Sequence, residues 1–338
     1  MKVSELGEFG LIELLAQIAT KSRGEALLVD IGDDAAAWRT QASIQLATTD
    51  ALIQDVHFTL STTTWFELGW KALAVNLSDI AAMGGTPKYA LVSLGLPPDT
   101  EVEDVDQLYQ GMAELAHRYD VAIAGGDVVT APLVVLSLAV NGTAEGDVLT
   151  RSAAAPGDQI AVTGYLGASG AGLVMLKKGL KLDAETTTCL REAHLKPHPR
   201  VAEGRVLARH GVRTAIDLSD GLVSDLAKVC KASNVGARLF CHQIPIHPLV
   251  RKSFTDDCLN LALSGGEDYE LLFTGSIEVM DKVKGLMSCP LSVIGEIVSE
   301  EPGKVRLLDE QGKEVGIEKA GWEHFAPGGD DELSKPGY

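Results

Sequence analysis

Short apolar runs alternate along this chain with stretches whose apolar residues recur every three or four positions. That alternation limits the fold more than any other feature. Residues 26–29, 44–48, 89–96, 121–124, 133–140, 159–163, 214–216 and 269–274 read as strands. Helices are expected where Leu11, Leu14, Leu15 and Ile18 recur, and again along Phe66, Trp70, Leu73, Leu77 and Ile80. A helix carrying Val105, Leu108, Met112, Leu115 and Tyr119 follows Thr100 and Glu103, which have the spacing of a capping box. Further helices are expected over 171–178, 201–209 and 222–232. Strand–helix alternation of this kind gives an α/β or α+β class. The length, 338 residues, suggests two domains. The polar, turn-rich stretch 142–157 separates them, giving domains over 1–148 and 149–325. Gly, Pro and acids dominate 326–338, which reads as a disordered tail.

The helix that ends at Gly84-Gly85 holds an oddity. Glycine tolerates the left-handed conformation that follows a helix end. Asn76 and Asp79, three apart, share a face with the small Ala72. An acid this near a helix C-terminus opposes the macrodipole, so a compensating positive charge is expected. Asp79 is read as a hub for bound metal ions.

Other acids recur where a β-type run ends or a helix begins: Asp33, Asp34, Asp50, Asp127, Asp217, Asp220, Glu267 and Asp268. Ligand crevices form at such places in α/β sheets. Oxygen donors without His or Cys partners suit Mg²⁺, Mn²⁺ or Ca²⁺ rather than zinc. Mg²⁺ needs only one or two carboxylates plus substrate phosphates, so scattered single acids fit it best. Each acid also has a plainer reading. Asp33 could shape a turn, and Asp217 or Ser219 could cap a helix. No P-loop sequence and no kinase-type H-R-D or D-F-G set is present. Gly164, Gly167, Gly170 and Gly172 mark either a phosphate loop or a close helix–strand contact. Arg151 could reach a nucleotide phosphate or form a surface ion pair. His57 lies among apolar neighbours, as a packed or capping histidine does. Trp322 reads as a core anchor or a stacking platform.

The formal charge of −18 argues against a nucleic-acid surface, which needs a basic footprint. Cys189, Cys230, Cys241, Cys258 and Cys289 are odd in number and form no C-x-x-C, so neither a disulfide framework nor a zinc site is expected. The thiols read as reduced and mostly buried. No signal-like apolar segment opens the chain, and no run approaches a membrane span of roughly 20 residues. A cytoplasmic protein is the expectation.

The motifs also occur in a familiar order. They are Gly7-Glu8-Phe9, Ile31-Gly32-Asp33-Asp34, Thr48-Thr49-Asp50, His57-Phe58, the run from Lys71 to Asp79, Gly125-Gly126-Asp127, Leu149-Thr150-Arg151, Ile216 to Gly221, Ser264 to Glu270 and Gly321-Trp322-Glu323-His324-Phe325. Over residues 4 to 325 the chain resembles the thiamine-monophosphate kinase family. The resemblance implies a two-domain fold shared with aminoimidazole-ribonucleotide synthetase, and a homodimer formed through N-terminal sheets. It implies transfer of the ATP γ-phosphoryl group to thiamine monophosphate, the last step to thiamine diphosphate. It implies magnesium on Asp34, Thr48, Thr49, Asp50, Asp79, Asp127, Asp217 and Asp220, with Asp79, Asp50 and Asp220 central to catalysis. Tyr109, Gly126, Asp127, Arg151 and Ser219 would meet ATP. His57, Glu267 and Trp322 would meet the thiamine substrate. Rival readings are another ATP-using enzyme of the superfamily and a catalytically silent metal- or nucleotide-binding regulator.

Overall fold

The structure is a computed structural model and describes residues 27–29, 32–40, 43–317 and 321. The first helix, Trp322 and the C-terminal tail discussed above lie outside those residues. Among the described residues the chain forms two compact units. One takes the residues up to Asn76 and Pro87–Glu145; the other takes Leu77–Thr86 and Gly146–Gly321.

The first unit is built on a six-stranded sheet. Its strands are β1 (Leu27–Val29), β2 (Ala36–Arg39), β3 (Ile44–Ile53), β4 (Thr86–Leu96), β5 (Ala122–Thr130) and β6 (Val135–Ala144). Their order is β1-β2-β3-β6-β4-β5. β3 pairs with β6 through ten unbroken partners, from Ile44 opposite Ala144 to Ile53 opposite Val135. The ladder therefore carries Thr48-Thr49-Asp50 in mid-strand, not at the strand end that the sequence suggested. Asp127 needs the same correction. It lies inside β5, opposite Ser93 of β4 in a parallel pair.

Helix α1 (Trp65–Ala82) opens on a capping box that the sequence reading missed. Thr64 N and Oγ1 both donate to Glu67 Oε2, and Glu67 N donates back to Thr64 Oγ1. The box expected at Thr100 and Glu103 does not form. Thr100 N is drawn into a turn on the Pro97 carbonyl, so Glu101 becomes the extended residue before α2 (Val102–Arg118) and makes no side-chain cap. α1 is not a one-sided amphipath: every residue from Leu68 to Ser78 is buried. It meets α2 backbone to backbone. A Cβ on Gly69 would lie 1.8 Å from the Leu108 carbonyl oxygen, and one on Gly111 1.9 Å from that of Phe66. Arg118 stacks on the buried Trp70 ring, 4.5 Å from its centroid.

The second unit has a seven-stranded sheet. It comprises β7 (Gln159–Thr163), β8 (Thr214–Asp217), β9 (Gly236–Phe240), β10 (Leu271–Gly275), β11 (Leu291–Val298), β12 (Val305–Leu308) and β13 (Glu314–Val315), in the order β13-β12-β9-β11-β7-β10-β8. β12 and β9 run parallel, and the other neighbouring strands of this sheet antiparallel. The helices are α3 (Ala168–Lys178), α4 (Ala184–Leu195), α5 (Val201–Arg209), α6 (Leu222–Ser233), α7 (Pro248–Ser253), α8 (Cys258–Ser264) and α9 (Ile277–Lys284). Ile160, Val162, Leu226, Val229, Leu239, Leu272 and Ile294 fill one core, each such side chain worth about 1.5–3 kcal/mol on burial. The architecture is that of a two-domain α/β protein with mixed sheets. Only Cys230 of the five free thiols is buried, so the expectation of mostly buried cysteines is corrected. Among the described residues no helix is long and apolar enough to cross a membrane.

Candidate active site

Within the second unit, carboxylates gather where β8 leaves its sheet. Asp217 is the last residue of β8 and is buried. Ser78, in the last turns of α1, donates its hydroxyl to Asp217 Oδ2 at 2.6 Å. The next residue, Asp79, brings a carboxylate oxygen within 4.8 Å of one on Asp217. α1 carries no basic residue in its last turn. It closes on Gly84, where φ is 70° and a Cβ would lie 2.6 Å from that of Ala208. Gly204 of α5 brings a second close contact: a Cβ there would lie 2.1 Å from the Ala81 carbonyl oxygen. Side-chain-free packing on α5 thus fixes the end of α1 that carries Asp79.

The turn after Asp217 enters α6 without a serine or threonine cap. Gly221 occupies the cap position at φ 120°. Asp225, wholly buried, reaches back and accepts from the backbone N–H groups of Asp220 and Gly221, both at 3.1 Å. Lys228 donates to Asp220 Oδ2 at 2.5 Å and to Asp225 Oδ1 at 2.8 Å. Burial pushes Asp225 up to about 6, against the opposing pull of Lys228. Burial works to lower Lys228, but Asp225 and Asp220 together hold it above the usual lysine range. Ser78, Asp225 and Lys228 escaped the sequence reading. The i, i+3 spacing of Asp225 and Lys228 was the available signal for those two.

Asp268 settles the role of the glycine-rich loop. Its two carboxylate oxygens accept from Gly167 N at 2.8 Å and Ser169 N at 3.2 Å, filling the N-terminus of α3. Burial pushes this carboxyl up to about 7, while the two backbone donors pull it down. A resident carboxylate takes the place a phosphate would need. The glycines serve close packing: a Cβ on Gly172 would lie 2.1 Å from the Leu190 carbonyl oxygen. The next acid, Glu270, is clamped by Arg200 Nε at 2.6 Å and Nη2 at 2.5 Å, and by the Thr163 hydroxyl at 2.6 Å.

The remaining predicted residues have definite places. Ser219 accepts Glu267 N on its carbonyl at 2.7 Å. Arg151 is half-buried, and its carbonyl accepts from the Ser233 hydroxyl at 2.8 Å. Gly321, just before Trp322, passes so near the turn that a Cβ would lie 2.6 Å from the Asp220 carbonyl oxygen.

In the first unit, Asp34 is buried, and its carbonyl accepts from Thr48 Oγ1 at 3.3 Å. Thr49 is exposed. Asp50 N donates to Asn76 Oδ1 at 3.1 Å, and Asn76 Nδ2 donates to Ala72 O at 3.0 Å. His57 Nδ1 accepts from Ile53 N at 3.1 Å and so caps the end of β3. Tyr109 is half-buried on α2, and Asp127 is exposed on β5. A Cβ on Gly126 would lie 1.9 Å from the Val92 carbonyl oxygen, so only glycine fits that strand crossing.

Comparison with known proteins covers nearly the whole chain. Residues 32–147 match the family model of the AIR synthase related protein, N-terminal domain, and residues 155–307 match that of its C-terminal domain. The thiamine-monophosphate kinase of Escherichia coli (strain K12) is 39% identical over 327 residues, 95% of this chain and 98% of that protein. Its namesake from Bacillus subtilis (strain 168) is 37% identical over 305 residues, 88% and 93% of the two chains. The solved structure of AaThiL complexed with AMPPCP and TMP matches with a TM-score of 0.84 at 32% identity. The match covers 96% of this chain and 99% of that one.

Proposed function

Because the chain belongs to the thiamine-monophosphate kinase family of AIR synthase related proteins, we propose that it transfers the terminal phosphoryl group of ATP to thiamine monophosphate, giving thiamine diphosphate and ADP. One observation carries the reading to particular atoms. Asp79 and Asp217, 138 positions apart in the chain, hold carboxylate oxygens within 4.8 Å at a helix end that has no basic residue. Such paired hard-oxygen donors fit magnesium.

In this reading Asp34, Thr48, Thr49, Asp50, Asp79, Asp127, Asp217 and Asp220 hold magnesium. When bound, magnesium supplies the positive charge that a transferring phosphoryl group demands. Ser78 orients Asp217 through its 2.6 Å hydrogen bond. Lys228 adds a fixed positive charge beside Asp220. Tyr109, Gly126, Asp127, Arg151 and Ser219 contact ATP, and His57, Glu267 and Trp322 contact the thiamine substrate. The acceptor phosphate has a second pKa of about 6 and is largely ionised at neutral pH, so the transfer needs no strong general base. What the side chains must do is hold two polyanions in line. The first unit also pairs with a second copy of the chain. Tyr89, Leu91, Val128 and Val129 expose apolar surface on the adjacent strands β4 and β5, at the edge of the sheet.

Incubation with Mg-ATP and thiamine monophosphate tests the activity: thiamine diphosphate and ADP accumulate in equal amounts. Asp79→Ala abolishes that turnover while the circular dichroism spectrum stays native. No thiamine diphosphate from the intact protein, or an Asp79→Ala variant of normal kcat, refutes the reading.

A further inference from the structure

Glu267 occupies a position that is costly for a glutamate. Its backbone is left-handed at φ 58°, next to Gly266 at 69° and two residues before Tyr269 at 48°. Only a few per cent of non-glycine residues adopt such angles. Three backbone hydrogen bonds hold the segment there. Glu267 N donates to Ser219 O at 2.7 Å, Tyr269 N to Leu218 O at 2.9 Å, and Leu218 N to Glu270 O at 2.8 Å.

These bonds fix the backbone but leave three side-chain torsions of Glu267 unset. A residue from another element supplies that restraint. His194, near the end of α4, places Nδ1 3.3 Å from Glu267 Oε2. The same nitrogen lies 3.1 Å from Ser169 Oγ. The imidazole side chain is 7% exposed and the glutamate side chain 29% exposed. One carboxylate oxygen thus lies against a buried imidazole while the side chain keeps access to solvent.

A carboxylate only accepts, so Nδ1 serves Oε2 only in the form that carries its proton on that nitrogen. The opposite tautomer would set a nitrogen lone pair against an oxygen lone pair. Ser169 Oγ shares that nitrogen with Glu267, and the Ser169 backbone N–H is tied to Asp268. Consecutive acids thus lock two elements together: Asp268 holds α3, and Glu267 meets α4.

We infer that His194 is a positioning residue for substrate recognition, aiming the Glu267 carboxylate at a cationic heteroaromatic substrate that bears a phosphate. The inference rests on the reading that Glu267 contacts the thiamine group. A carboxylate steered by a buried donor meets a cation without first losing the side-chain entropy of a free glutamate.

The test compares KM for thiamine monophosphate with KM for ATP. His194→Phe keeps a ring of similar size and removes the donor. It raises KM for thiamine monophosphate about tenfold, the worth of one hydrogen bond to a charged group, with KM for ATP and the melting temperature near wild type. His194→Asn, whose amide nitrogen falls near the place of Nδ1, restores most of the loss. Glu267→Gln raises the same KM, and the double variant His194→Phe/Glu267→Gln is no worse than Glu267→Gln alone. If His194→Phe fails to fold, His194→Gln gives the same split, because its amide lies beyond the position of Nδ1. An unchanged KM in Glu267→Gln removes the reading of Glu267 as a substrate contact, and this inference with it. A raised KM in Glu267→Gln combined with an unchanged one in the His194 variants overturns the positioning role alone. Additive effects in the double variant do the same.

Discussion

Arg200→Met isolates the strongest restraint on the segment that carries Glu267. Arg200 and Glu270 form a bidentate pair whose side chains are 24% and 8% exposed. The site has no room to adjust, since a Cβ on Gly164 would lie 2.0 Å from Glu270 Oε1. Removing the guanidinium leaves the Glu270 carboxylate buried without its counter-charge, a change that costs about 3–5 kcal/mol. The Thr163 hydroxyl still donates to Glu270, which puts the expected loss near the lower end, about 3 kcal/mol. With a urea m-value of about 2–3 kcal/mol per molar, the midpoint of the affected transition falls by roughly 1 M. Arg200→Met/Glu270→Leu removes both charges and recovers most of that loss, because a buried pair contributes less than the penalty for breaking it. Urea titration of all three proteins, followed by tryptophan fluorescence and circular dichroism, measures this directly. A midpoint shift below about 0.3 M refutes the reasoning, as does a double variant no more stable than the single one.

Two further predictions address the metal reading and the assembly. Ser78→Ala removes the 2.6 Å hydrogen bond to Asp217 and raises the magnesium concentration for half-maximal rate about tenfold, as loss of a ligand's orienting partner does. An unchanged magnesium titration of the rate would detach Ser78 from the metal site. Leu91→Asp places a charge on the exposed strand pair β4–β5 and converts a sedimenting dimer into a monomer. A wild-type protein that sediments as a monomer, or a variant that stays dimeric, rejects that face as the interface.

The parts of the fold that were legible in the sequence are local ones. The span of α5 from 201 to 209 agrees with its expected limits, because Pro197 and Pro199 stop the preceding chain and the apolar period begins at once. β7 agrees as well, as a short apolar run followed by Gly164. What stayed hidden depends on distant partners. Thr48-Thr49-Asp50 looks like the end of a strand until β6, some 90 residues away, extends the ladder through it. α4 has few apolar residues and three consecutive threonines, yet Asp183 caps it by accepting from Thr186, and its Leu190 is fully buried.

The candidate site divides along the same line. Asp79 stood out because its helix end is legible from Gly84 and Gly85, and Asp217 because a strand runs into it. That Ser78 would join them was not legible, since a helical serine carries no sign of a partner in another element. Lys228 was not legible because it sits about two helical turns beyond the acidic motif that it joins, along α6.

The left-handed backbone at Glu267 sets stability against the substrate contact proposed for this residue. Among the described residues, Asp55, Asp120 and Asn234 also have positive φ, and their short polar side chains tolerate it. Glycine or asparagine at position 267 would relieve about 1 kcal/mol of backbone strain and lose the carboxylate. Laboratory evolution scored only on heat resistance would therefore drift toward those residues at this position, and the thermostable survivors would lack the carboxylate proposed to meet a cationic substrate.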